Sequence, residues 1–346
     1  MYTIKLFLSL LLISSVSLNA LDYTKKEEVK TFIKMMNKEF NYKEEYLNRL
    51  FSNIREDPKV KKVVSKKKKS KKKTTIVPKN KKPIPKGSWD IYSRMHMENN
   101  HTNLGVAFMH KHKNIFKKAH KQYGVSPEYI TAVIGIESHY GKNRGIYYVL
   151  DTLTHKAFSN NKRKKFYQYE LQEFLRMCYR EQIEPRRVKG SKSGAIGLAQ
   201  FMPSNYKSLA VDFNNDGKIR ISNPADAIGS VANYFKESGW KTDEPISTRV
   251  SYKGNRFYGL KTGTKYKYKR KDLIDIKPKR YFPYQKEVHL IKLERETYDE
   301  LWYGTHNFYV ITRYNHSSYY AMAVHQLAKK IKTSYIKKYG NKRKTS

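Results

Sequence analysis

Hydrophobic positions along the chain change their spacing several times. Val29, Phe32, Ile33, Met36 and Phe40, then Tyr46, Leu47, Leu50 and Phe51, recur every three or four residues, so the stretch from Lys25 to Ile54 predicts two short amphipathic helices. Between Trp89 and Tyr234 the helical period continues, with Leu104, Val106, Ala107, Phe108, Ile115 and Ala119 in one pattern and Phe166, Leu171, Phe174 and Leu175 in another. From Ile246 to Leu293 the chain becomes rich in Tyr, Val, Ile and Thr among Gly and Lys, as in TRVSYKGNRFYGLKTGTKYKY and EVHLIKL, which predicts strands. Helical spacing returns at Tyr319, through Ala321, Val324, Leu327 and Ile331. No internal repeat is present. The expected fold class is α+β, mainly α, with a small β-rich lobe.

Two stretches stand outside this pattern. MYTIKLFLSLLLISSVSLNA places Lys5 before an apolar run and ends on small or polar residues, as a secretory signal peptide does over residues 1–20. The run is too short to span a hydrocarbon layer of about 30 Å, so cleavage after Ala20 is expected. KVKKVVSKKKKSKKKTTIVPKNKKPIPK, starting at Lys59, has almost no acid and few large apolar groups, which predicts a disordered linker over residues 59–87. The domains expected are therefore an N-terminal helical segment over 21–58, a helical core over 88–240, the β-rich lobe over 241–303 and a C-terminal segment over 304–335 that returns to the core.

Composition adds an address and a class of partner. Lys and Arg number 71 against 30 acids, a formal charge of +41 that attracts polyanions. A signal peptide removes the chain from nucleic acid, leaving carboxylate-bearing wall polymer or an anionic membrane as electrostatic partners. A bias toward lysine without function is the other reading. Cys178 is the only cysteine, so no disulfide forms and no thiol near Ala20 can carry a lipid. Its apolar helical neighbours, Leu171, Phe174 and Met177, predict a buried, inert thiol. A soluble periplasmic protein follows from these readings.

Candidate chemistry gathers between Val133 and Tyr206. Ser126 suits an N-cap, Pro127 the first helical position and Glu128 the positive end of the helix dipole, so a helix should begin there and end near Gly141. Ile130, Ile134 and Glu137 then share a face, and partial desolvation should raise the Glu137 pKa toward that of a general acid. A Gly-rich, amide-bearing loop follows, GSKSGAIGLAQFMPSNY. Ser191 lies in it, but neither a G-x-S-x-G turn nor a placed His/Asp pair marks a serine nucleophile.

GIESHYG around Glu137 resembles the catalytic signature of the family 3 peptidoglycan lytic transglycosylases, the membrane-bound lytic transglycosylase B type. YGVSPEYI, DTL at Asp151, KGSKSGAIGLAQFMPSNYK, AIGSVANYF and NFYVITRYNHSSYYAMAV follow the same family's order and spacing, from about Trp89 to Leu327. Ser138 and Tyr140 depart conservatively from the signature, and the lysine-rich stretch is longer and more basic than the family's usual connection. The resemblance implies a lysozyme-like helical catalytic core with Glu137 as the catalytic acid. It implies polar contacts from Ser191 and Asn315 beside the acid, and saccharide sites lined by Gln200, Tyr234, Tyr92, Tyr314 and Tyr320. Amides can read acetamido groups and aromatic faces can stack on pyranose rings. Lys162 and Arg163 lie where the family tends to meet the muramyl peptide or lactyl carboxylate, though a solvated basic loop would look the same.

Asp212, Asn214, Asp216, Gly217 and Lys218 occupy positions 1, 3, 5, 6 and 7 of an EF-hand pattern, with Lys218 offering its carbonyl. Position 12 is Asn223 instead of a glutamate, and the resemblance points to Asp226 as the bidentate carboxylate of a lengthened loop. Oxygen donors of this kind suit structural calcium, whereas a turn without metal uses the same residues. No catalytic cofactor is expected. The resemblance implies cleavage of the β-1,4 bond between N-acetylmuramic acid and N-acetylglucosamine in peptidoglycan, leaving 1,6-anhydromuramyl ends, with cell-wall synthesis proteins as further partners. A hydrolytic muramidase and a non-catalytic peptidoglycan-binding protein are the rival readings.

Overall fold

A computed structural model describes residues 20–56, 87–96, 99–253 and 256–340. The expected signal peptide, apart from Ala20, and the lysine-rich stretch, apart from Gly87, lie outside them. Among the described residues the chain forms twelve α-helices and eight strands, and it divides into two compact units. None of these helices is long and apolar enough to cross a membrane.

Among the described residues, the first unit comprises 20–56 and 151–168. Its two amphipathic helices are α1 (Glu27–Phe40) and α2 (Glu44–Phe51), preceded by β1 (Ala20–Leu21) and followed by β2 (Ile54–Arg55), which pairs antiparallel with β1. Val29, Phe32, Ile33 and Met36 of α1 and Leu47, Leu50 and Phe51 of α2 are buried, as their spacing requires. Phe32, Phe51 and Phe158 meet edge to face at 5.6 to 6.3 Å. Polar bonds draw residues 151–168 into this unit: the Tyr23 hydroxyl lies 2.7 Å from His155 Nδ1, and the Arg55 amide donates to Asp151 Oδ1 at 3.3 Å. The sequence pattern had assigned this segment to a continuous core over 88–240; periodicity reports a helix but not its neighbour.

Among the described residues, the second unit comprises 87–96, 99–150, 169–253 and 256–340. Its helices are α3 (Ser88–Arg94), α4 (Asn99–Lys111), α5 (Lys113–Tyr123), α6 (Pro127–Ser138), α9 (Pro203–Ser208), α10 (Pro224–Glu237), α11 (His306–Tyr314) and α12 (Ser318–Tyr339). The unit boundaries fall inside α7 (Val149–Ala157) and α8 (Lys164–Arg180). Helix α6 is buried almost all round, from Glu128 to Gly135 and at Ser138, because α4, α5, α10 and α12 pack against it. Its residues are mostly apolar, and the buried polar ones are bonded: Thr131 donates to the Pro127 carbonyl at 2.7 Å and Glu128 accepts from Lys332 at 2.9 Å.

Strands β5 (Ser247–Tyr252), β6 (Ile276–Pro278), β7 (His289–Glu294) and β8 (Asp299–Gly304) form one antiparallel sheet in the order β6-β5-β8-β7. Val250, Leu273, Ile276, Val288, Leu290, Leu301 and Tyr303 bury its apolar face. The chain returns to helix at His306, ahead of the Tyr319 suggested by spacing, and α12 continues to Tyr339.

Candidate active site

Pro127 opens α6 behind Ser126, whose backbone is extended although its side chain makes no cap hydrogen bond. The helix ends at Ser138, not at Gly141. His139 and Tyr140 turn left-handed with φ of 50° and 58°, and Gly141 continues the turn at 88°. Ser138 stabilises this reversal: its hydroxyl donates to the Ile134 carbonyl at 3.1 Å and accepts the Gly141 amide at 3.0 Å. Tyr140 is tied back through its hydroxyl to the His101 carbonyl at 3.0 Å.

This turn leaves Glu137 one residue before the end of a rigid helix. The Tyr320 hydroxyl donates to Glu137 Oε1 at 2.7 Å. Burial pushes the Glu137 pKa up to about 7, and the Tyr320 hydrogen bond, by favouring the ionised form, pulls in the opposite direction. Tyr92 and Tyr314 also feel the acid: burial first, then the Glu137 charge, raises the pKa of both phenols. The carboxyl group thus sits among neutral hydroxyls in a partly dry pocket, able to hold or release a proton near neutral pH.

Aromatic rings extend from the acid in a row. Tyr320 and Tyr314 stack at 6.3 Å with 9° between planes, and Tyr314 meets Tyr234 at 4.7 Å. Tyr314 donates to the Ala199 carbonyl at 2.5 Å and Tyr234 to the Arg313 carbonyl at 2.6 Å. Both hydroxyls are therefore committed to the framework, and these residues offer ring faces. Tyr92 packs against Trp89 and Tyr319 at 6.1 and 5.9 Å.

The Gly-rich loop owes its course to two glycines at which chains touch. A Cβ on Gly145, at φ +90°, would lie 2.0 Å from the Gly190 carbonyl, and one on Gly190 would lie 2.3 Å from the Ala195 oxygen. Beside them, β3 (Tyr147–Tyr148) pairs with β4 (Lys189–Gly190). Ser191 Oγ accepts the Ser193 and Ala195 amides at 3.2 and 3.1 Å, so it builds the turn. Gln200 donates to the Arg144 and Gly197 carbonyls at 3.2 and 2.8 Å, which leaves its amide oxygen as an acceptor. Asn315 ends α11 in extended conformation, and is exposed.

Residues 24–329 match the transglycosylase SLT domain family. The chain belongs to that family. Membrane-bound lytic murein transglycosylase B of Escherichia coli is 39% identical over 249 residues, which span 71% of this chain and 68% of that protein. The E. coli lytic transglycosylase Slt35, solved in complex with calcium, superposes with a TM-score of 0.82 at 32% identity, covering 94% of this chain and 98% of that one. SltB3 from Pseudomonas aeruginosa, solved in complex with NAG-NAM-pentapeptide, superposes with a TM-score of 0.75 at 25% identity, covering 88% and 79%. The chain is a lytic transglycosylase with the lysozyme-like, mainly helical fold of these structures.

The transglycosylase structure brings Glu137, Tyr320, Tyr314 and Tyr234 into one contact network, joined to Gln200 through Ala199, with Tyr92 near enough that, after burial, the Glu137 charge raises its pKa. Lys162 and Arg163 are exposed and belong to the other unit, where Arg163 lies 4.0 Å over the Phe166 ring. Sequence reasoning missed Tyr319, whose hydroxyl is 2.7 Å from Ser88 Oγ, and the ring pair His101–His139 at 4.8 Å. Burial pushes His101 down to about 4, so that ring is neutral beside the helix end. The left-handed turn that joins these groups carried only Gly141 as a signal.

In the acidic loop, Asp212 accepts the Asp216 and Gly217 amides at 3.1 and 2.8 Å, and Asp216 accepts the Lys218 amide at 2.9 Å. Asp226, fully buried in the first turn of α10, accepts Phe213 and Arg220 amides at 2.9 and 2.7 Å. Burial raises its pKa, and the Asp212 charge adds to the rise. Among the described residues no cluster of three or more His, Cys, Asp or Glu is arranged to hold a metal. The donors suit a hard cation in kind, but loop amides occupy both oxygens of the expected bidentate ligand.

Proposed function

We propose that this lytic transglycosylase cleaves the β-1,4 bond between N-acetylmuramic acid and N-acetylglucosamine in peptidoglycan, closing a 1,6-anhydro ring on the muramyl residue. The observation that carries the reading is Glu137, buried to a pKa of about 7 and hydrogen-bonded by Tyr320. Protonated Glu137 gives its proton to the leaving glycosidic oxygen as the bond to the anomeric carbon breaks. The carboxylate then takes the proton of the muramyl 6-hydroxyl, whose oxygen forms the new bond to that carbon. The acid is regenerated and no water is consumed. Charge developing at the anomeric carbon is stabilised by the substrate's own acetamido group, an alternative to a second enzyme carboxylate.

The ring faces of Tyr92, Tyr234, Tyr314 and Tyr320 carry the pyranoses in this reading. The free oxygen of Gln200 accepts an acetamido N–H, and Asn315 and Ser191 border the acid. Lys162 and Arg163 meet anionic groups of the polymer. The periplasm is the compartment in which such a polymer is available.

Digestion of purified sacculi tests the reaction by the mass of its reducing ends. Anhydromuropeptides are expected. Products heavier by one water throughout would establish a hydrolytic muramidase, and no soluble product at all would leave a binding protein.

Calcium is proposed as a structural ion of the 212–226 loop, held by Asp212, Asn214, Asp216, the Lys218 carbonyl and Asp226. The mutual repulsion of Asp212 and Asp226 supports it, since a cation would offset that repulsion. The Slt35 complex with calcium supports it too.

A further inference from the structure

Arg313, His316, Ser317 and Ser318 bracket Asn315 and line a cavity of about 1200 Å³. Its remaining walls come from the loop over residues 262–267, from the approach to β7, from α11 and from the segment that follows α10. The segment shared with the acid site is held firmly, because Tyr234 donates to the Arg313 carbonyl at 2.6 Å and Tyr314 to Ala199 at 2.5 Å. One end of the cavity is thus one residue in sequence from the Glu137 aromatic row.

Its chemistry differs from that of the row. Five cationic side chains line it, Lys241, Lys265, Lys267, Lys286 and Arg313, against the two carboxylates Glu244 and Glu287. Glu244 is already paired with Lys286 at 3.0 Å. Among the described residues, Lys241, Lys265, Lys267 and Arg313 have no carboxylate within ion-pair distance. Cations gathered around a concave surface repel one another and focus a positive potential, and an anion entering between them relieves that repulsion. Ring faces and amides suit sugars; this lining suits carboxylates.

Size decides which carboxylate. A volume of about 1200 Å³ exceeds the roughly 300–1,000 Å³ of pockets for single small molecules. A lone lactyl group would fill little of it, whereas a peptide of several residues with more than one carboxylate would use both the space and the separated cations. Tyr266, Tyr284 and Tyr309 add amphipathic surface for such a chain. We propose that this cavity receives the acidic stem peptide carried by the glycan, while the sugars lie along the Glu137 wall. The inference rests on peptidoglycan being the substrate.

The test uses the full-length enzyme and the double variant Lys265→Glu/Lys267→Glu, whose side chains are exposed on a loop and outside the catalytic network. Peptide-bearing glycan strands are compared with the same strands stripped by an amidase. For peptide-bearing strands the half-saturating concentration should rise roughly fivefold to tenfold with kcat held, the size expected when exposed ion pairs are reversed. On stripped strands the variant should match the wild type. Calorimetry with the released stem peptide should give binding to the wild type that salt weakens and the variant lacks. An equal loss on both strands, no loss on either, or unaltered peptide binding overturns the proposal while anhydro products continue to form. A wild type that forms no anhydro product from either strand overturns the substrate reading itself.

Discussion

At Glu137 the balance of two local effects sets a pH window. Burial raises its pKa from an ordinary carboxyl value to about 7, so the acid form that the proposed proton transfer requires persists through mildly acidic pH and is lost as pH rises through 7. Turnover should fall on that alkaline limb, as a pH–rate profile on sacculi would record. Tyr320 favours the ionised carboxylate, hence Tyr320→Phe should move the limb to higher pH; a limb that stays put would separate the hydroxyl from the acid. Glu137→Gln should retain glycan binding and lose about 10² to 10⁴-fold in turnover. It should also remove a pH-dependent cost. With the folded pKa above the unfolded one, the wild type loses stability as pH rises from about 4.5 to about 7, by at most about 3 kcal/mol, and the glutamine variant does not. Melting curves at pH 4 and pH 8 would show the wild type falling relative to the variant. The raised pKa of Glu137 was legible from Ile130 and Ile134 on its face, but its hydroxyl partner lies 183 residues away and no periodicity connects the two.

Helix starts were easier to foresee than helix ends or loop courses. Pro127 marks the beginning of α6 by its missing N–H, whereas its end depends on His139 and Tyr140 accepting left-handed backbone, a cost that the Tyr140 hydroxyl bond and the His139–His101 ring contact help offset. The loop carrying Ser191 depends on Gly145 meeting the Gly190 backbone, two residues that are far apart in sequence. Gly145→Ala combines a positive φ with a 2.0 Å approach to that backbone, so it should destabilise by about 1–3 kcal/mol or more and lower activity by displacing the loop. Wild-type melting temperature and turnover in that variant would mean the loop has room to move. For the 212–226 loop the pattern of donors was readable, yet the amide bonds to Asp226 were not. If calcium enters, it should raise the melting temperature of the wild type but not of Asp212→Ala or Asp226→Ala, by mass action on the folded state. Equal shifts in all three proteins would reduce the loop to a turn.

The chain as a whole carries +41, and the range of that charge differs from the range of the chemistry at Glu137. Which segments assemble together was only partly legible: the two amphipathic helices and the sheet follow from their spacing, but residues 151–168 join the N-terminal helices through Tyr23, Arg55, Asp151 and His155, contacts that no local pattern announces. Net charge, by contrast, is read directly from sequence and acts at long range. Salt at physiological strength shortens that reach to about 8 Å, while the proton transfer proposed for Glu137 spans a single hydrogen bond. Capture of anionic sacculi and cleavage should therefore separate as salt is raised. Pelleting with sacculi should weaken steeply, and turnover of small soluble fragments at saturation should change by less than about twofold, because buried interactions are screened far less than exposed ones. Deleting Ser65 to Lys82, the most basic stretch of the sequence, should flatten the salt dependence of pelleting and leave fragment turnover intact. Pelleting that ignores salt in the full-length chain would show that stacking and hydrogen bonds hold the polymer, and that the lysines serve another purpose.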